Sequence, residues 1–97
     1  MKTVVETNTF RRQADKIWSE EERLDFIAWI AAHPDAGDVI PGADGARKVR
    51  WSASGRGKRG GARVIYFYPD TDRLCLVAVY AKADRSNMTP NEIREVR

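Results

Sequence analysis

The sequence predicts an α+β domain. Two N-terminal helices pack on one face of a mostly antiparallel sheet, built from a short N-terminal strand and a three-strand meander, and a short helix closes the chain. Three observations lead there. Apolar residues recur at helical spacing between positions 10 and 32, the period changes to two between 46 and 82, and a turn-rich passage separates these halves. At 97 residues the chain suits one domain, 1–97, able to bury over ~60% of its unfolded surface without staples.

Thr3-Val4-Val5-Glu6-Thr7 is short and β-branched, which suits a strand. Asn8 or Thr9 can cap the helix that follows, where Phe10, Ala14 and Ile17 make an apolar stripe. Ser19-Glu20-Glu21-Glu22 is a capping box, with three glutamates at the positive end of the helix dipole. The second helix carries Leu24, Ile27, Ala28 and Ala31 on one face and Phe26, Trp29 and Ile30 beside it, so it is expected to be largely covered. His33-Pro34 ends it, because proline disfavours the α region at the residue before it.

Residues 34–45 hold two prolines and three glycines and read as a connector without structure of their own. Ala46 to Trp51 then alternates, with Arg47, Val49 and Trp51 on one face and Lys48 and Arg50 on the other. A glycine-rich loop leads to a strand from Ala62 to Tyr68, the turn Pro69-Asp70-Thr71-Asp72, and a last strand from Arg73 to Lys82. Strict alternation puts Leu74, Leu76, Ala78, Tyr80 and Lys82 on one side of that strand. Thr89-Pro90-Asn91-Glu92 opens the final helix, with Thr89 as cap and Pro90 in the first turn. An isolated helix that short is marginal, so either the chain is trimmed there or the tail needs a partner. With both helices on one side, the other face of the sheet is expected to be open and wet.

Charge is distributed unevenly. Residues 47–63 hold seven Lys or Arg and no acid, leaving ten basic and fourteen acidic residues elsewhere. The body is thus mildly acidic and one segment strongly basic, a pattern that collects polyanions, phosphate backbones above all. If the meander pairs in the simplest register, Lys48, Arg50, Arg63 and Lys82 converge at one edge of the sheet. Arg56, Lys58 and Arg59 of the glycine-rich loop can conform to a phosphate chain and Trp51 beside it can stack on a base, with Arg47 and Tyr80 as further expected RNA contacts. A Lys crowded by other cations has its charged form disfavoured, which suits it to proton transfer, and guanidiniums can hold a phosphate.

Several familiar chemistries are excluded. Gly55, Gly57 and Gly60 match the dinucleotide fingerprint, but a strand rather than a helix follows, so no helix N-terminus meets a pyrophosphate. His33 is the single histidine, at a helix end, and Cys75 is the single cysteine, in an apolar run where it reads as a small buried hydrophobe. Zinc chemistry and two-histidine nuclease chemistry therefore have no residues to work with, and no metal or cofactor is expected. No apolar run approaches the roughly 18–20 residues of a membrane span, and a reducing, cytoplasmic compartment is expected.

Gly37-Asp38-Val39-Ile40-Pro41-Gly42, Ala46-Arg47-Lys48-Val49-Arg50-Trp51, Gly55 through Tyr68 and Val79-Tyr80-Ala81-Lys82 together resemble the HigB branch of the RelE/ParE toxins of type II toxin–antitoxin systems. The resemblance runs in order along nearly the whole chain. It implies a RelE-like fold and a ribosome-dependent, metal-independent mRNA endonuclease, with Lys48 as base, Arg50 and Arg63 on the phosphate, and Lys82 at the leaving oxygen. It also implies a cognate antitoxin of helix-turn-helix type that alone contacts operator DNA, and partners in the ribosome and mRNA but no membrane. Two departures stand out: Ala83 occupies a position where relatives carry Arg, and no Tyr lies near the last helix, leaving Tyr80 as the substitute. A gyrase-directed toxin of ParE type and a plain RNA-binding module are the alternative readings.

Overall fold

A computed structural model of the chain describes residues 2–52, 61–81 and 88–96. The elements run β1 (Thr3–Glu6), α1 (Asn8–Ile17), α2 (Glu20–Ala32), β2 (Asp38–Val39), β3 (Arg47–Trp51), β4 (Ala62–Phe67), β5 (Arg73–Ala81) and α3 (Pro90–Val96). The strands form one sheet in the order β1-β5-β4-β3-β2. The meander β3-β4-β5 is antiparallel as expected, and β2 adds a further antiparallel strand inside the passage read as a bare connector. β1 pairs in parallel with β5, which makes the sheet mixed. No described helix is long and apolar enough to cross a membrane.

Local signals behave as their chemistry dictates. Ser19 and Glu22 close a reciprocal capping box at 3.1 and 2.8 Å. Thr89 and Glu92 do the same for α3. Asp70 Oδ1 accepts from the amides of Asp72 and Arg73, a side-chain turn that closes the β4–β5 hairpin. His33 caps α2 and its Nδ1 lies 2.9 Å from the Trp29 carbonyl, so that nitrogen donates. The cap of α1, however, is Thr7 rather than Asn8 or Thr9. Its hydroxyl accepts from Phe10 N and lies within hydrogen-bond distance of the Leu76 and Val77 carbonyls, so it serves helix and sheet together.

The main core lies between the helices and the sheet. Phe10 and Ala14 of α1, Trp18, and Phe26 and Ile30 of α2 meet Val49, Val64, Tyr66, Leu74, Leu76 and Val79. Trp18 sits at its centre, 5.4 Å from both Phe26 and Trp51. α2 is less covered than its composition suggests, since Leu24 is 51% exposed. Leu24 precedes Phe26 by about 200° around the helix, so a helix that turns Phe26 and Ile30 inward must turn Leu24 out. Cys75 is half-buried rather than buried.

Two expectations about β5 and the far face are corrected. Between the pairs Ile65↔Ala78 and Tyr66↔Leu76 the strand carries one extra residue, Val77. This bulge reverses the alternation, so Leu74 and Leu76 enter the helix-side core while Ala78 and Tyr80 point the other way. The far face is also not open throughout. Ala43, Ala46, Ile65, Val77, Ala78, Tyr80 and Met88 form a second core closed by Ile93 of α3. The last helix thus takes its support from its own domain, with Ile93 fully buried.

Candidate nucleic-acid site on the far face of the sheet

β3 builds the site by simple alternation. Val49 and Trp51 join the helix-side core, which sends Lys48 and Arg50 to the opposite face. On β4, Val64 and Tyr66 face the helices in the same way and Arg63 does not. The register then places Arg50 directly across from Arg63, and Arg63 directly across from Tyr80. This row spans three strands, roughly 10 Å from end to end. Lys48 stands one row away on the same face, about 7 Å along β3, with Asp38 opposite it on β2 and Ile65 opposite it on β4. Arg50 is exposed, and Lys48 and Arg63 are half-buried.

Lys48, Arg50 and Arg63, three of the four residues expected to converge, are therefore together. Lys82, like Arg56, Lys58 and Arg59 of the loop, lies outside the described residues. Tyr80 is in the row, but its side chain belongs to the second core and the residue is only 6% exposed. Arg47 and Trp51 lie on the other face. Trp51 packs edge-on against Trp18 and Phe26. The Arg47 guanidinium donates to the Gly37 carbonyl at 2.8 Å and covers the Tyr68 ring at 5.3 Å. Both side chains support the sheet at these positions, because a strand residue next to Lys48 or Arg50 in sequence must point away from it.

Asp38 belongs to the motif of the family resemblance, but its place in a strand opposite Lys48 does not follow from the sequence pattern. Val39 and Ile40, a β-branched pair between Gly37 and Pro41, were the available signal for β2. A phenol network holds that strand in place. The Tyr66 hydroxyl accepts from Gly37 N and donates to the Pro34 carbonyl, both at 2.8 Å. The Tyr68 hydroxyl reaches the same carbonyl at 2.5 Å and Asp35 Oδ1 at 2.8 Å. Burial first, then the Asp35 hydrogen bond, pushes the Tyr68 phenol up from 10.0 to about 12. Burial likewise raises Tyr66. Position 37 must be glycine for this approach, since a Cβ there would lie 2.9 Å from the Lys48 carbonyl and 2.7 Å from the Tyr66 hydroxyl. Gly61, with φ +58°, plays a similar part at the start of β4, where a Cβ would stand 2.9 Å from the Trp51 carbonyl.

The arrangement can clamp an anion with planar donors from two strands and bring an ammonium to its side. A sequence model for the RelE toxin of the RelE / RelB toxin–antitoxin system matches residues 3–97. With the match spanning the chain and the helices and sheet agreeing with a RelE-like fold, the protein belongs to the RelE toxin family, the toxin half of toxin–antitoxin pairs.

Proposed function

We propose that this toxin is a ribosome-dependent mRNA endonuclease of the HigB branch, acting in the cytoplasm without metal and silenced by a helix-turn-helix antitoxin. The observation that carries the reading is the direct cross-strand pairing of Arg50 with Arg63, with Lys48 on the same face. Like charges directly opposite one another cost stability. An RNA phosphate lying over both guanidiniums turns that cost into binding.

In the proposed reaction, Arg50 and Arg63 hold the non-bridging oxygens and stabilise the charge that gathers on them in the transition state. Lys48 takes the proton of the 2′-hydroxyl as general base. The 2′-oxygen then bonds to phosphorus as the bond from phosphorus to the 5′-oxygen breaks. Lys82, the next residue after β5, gives the leaving oxygen its proton. The products are a 2′,3′-cyclic phosphate and a 5′-hydroxyl, so atoms and charge balance without water or metal. Arg56, Lys58 and Arg59 supply sequence-independent contacts to the RNA backbone.

Induced expression followed by primer extension on matched translated and untranslated messages tests this. Cuts confined to the translated message are expected. Equal cutting of both would remove the ribosome from the proposal, and DNA-damage signalling without cuts would replace it with the gyrase reading.

A further inference from the structure

β2 buries neither of its two residues, and Val39 is 56% exposed. Apolar packing therefore does not account for the strand. It is nevertheless held on both sides of Asp38. Gly37 N donates to the Tyr66 hydroxyl and the Gly37 carbonyl accepts from Arg47, each at 2.8 Å. Ile40 N donates to the Ala46 carbonyl, also at 2.8 Å. What these bonds fix in place is a carboxylate.

Asp38 lies directly opposite Lys48, so both side chains leave the same face of the sheet, with Cβ atoms about 4.5–5.5 Å apart. Arg50 is its diagonal neighbour, about 7–8 Å away. In the two cross-strand rows that hold Lys48, Arg50 and Arg63, Asp38 is the single acid. Other carboxylates of the sheet and its turns are engaged elsewhere: Asp35 with the Tyr68 hydroxyl, Asp70 with Arg73, and Glu6 with Arg23. Charge explains what an acid does here. A Lys48 that takes the 2′-proton becomes a cation in the company of two guanidiniums, which disfavour it. A carboxylate opposite offsets that repulsion and gives direction to a flexible four-carbon stem. The same carboxylate repels an incoming phosphate, so it weakens RNA binding while it favours proton transfer.

We propose that Asp38 is a positioning residue for RNA cleavage, its carboxylate orienting Lys48 and stabilising the positive charge that forms there. The proposal rests on the nuclease reading with Lys48 as base. Cleavage of a message on programmed ribosomes by the full-length toxin and by Asp38→Asn gives kcat and KM. Asparagine keeps the shape of the side chain and removes its charge. In Asp38→Asn, kcat is expected to fall at least about tenfold while KM falls about two- to fivefold. Loss of structure does not move the two in this way. Asp38→Glu should recover most of kcat. With Lys48→Met already in place, Asp38→Asn should cost no further rate. An unchanged kcat in Asp38→Asn, or a further loss in the Lys48→Met background, overturns the positioning role and leaves the nuclease reading standing. A parent toxin that cuts no message, or Lys48→Met cutting at the parent rate, sinks the assignment of Lys48 as base, and the role of Asp38 falls with it.

Discussion

On the helix side of the sheet, Val49, Val64 and Tyr66 press against Phe10, Trp18 and Phe26. On the far side, Ile65 and Ala78 lie under α3, and two residues along β4 from Ile65 the side chain of Arg63 stands beside Arg50 of β3. One five-residue strand, β3, serves both surfaces. Val49 and Trp51 anchor it in an aromatic core, and Lys48 and Arg50 carry its far-face cations. The contrast shows how an 11.0 kDa protein holds like charges together: the cost on one face is met by packing on the other, and well-packed neighbours keep a site's geometry rigid.

If the division is real, substitutions on the two faces should separate function from stability. Arg63→Glu should lower cleavage and toxicity by at least ~10²-fold while leaving the thermal midpoint within a few degrees of the parent. A stably folded, fully toxic variant would break the comparison at its centre. Phe26→Ala should do the reverse. It should cost about 3–5 kcal/mol of stability, a large share of the roughly 5–15 kcal/mol typical of a domain. Cleavage per folded molecule should be unchanged, measured as rate against the folded fraction in denaturant.

Ser19→Ala touches neither face and removes only a cap, so about 1 kcal/mol should be lost with activity intact. The smallest effect concerns Tyr68. Its folded pKa is raised to about 12 from 10.0, so the folded state holds the phenol proton more tightly. The associated stability is fully present below pH 10 and is lost as pH rises through about 12. Tyr68→Phe should therefore show a shallower loss of stability across that alkaline window, with no difference in pH response near neutrality. An identical alkaline slope in both proteins would remove Tyr68 from the network holding β2.

Much of the candidate site could be read from the chain, because strand alternation is a local property. It separates Lys48 and Arg50 from Arg47 and Trp51, which lie on the helix-side face. Closeness along the chain to the basic run says nothing about direction in space. Asp38 was hidden by turn residues on both sides of a two-residue strand, too short to show a period.

The capping boxes, the stripe of α1 and the meander are settled between residues a few positions apart or joined by one turn, so adjacent chemistry was enough to specify them. The bulge at Val77, the parallel seat of β1 and the second core under α3 depended on distant segments competing for the same backbone groups and apolar surface. Thr7 illustrates this. Its hydroxyl engages carbonyls 69 and 70 positions away, and no local pattern states which strand a short N-terminal segment will join. Tertiary packing made that choice, because only the assembled sheet decides which backbone groups are left to satisfy.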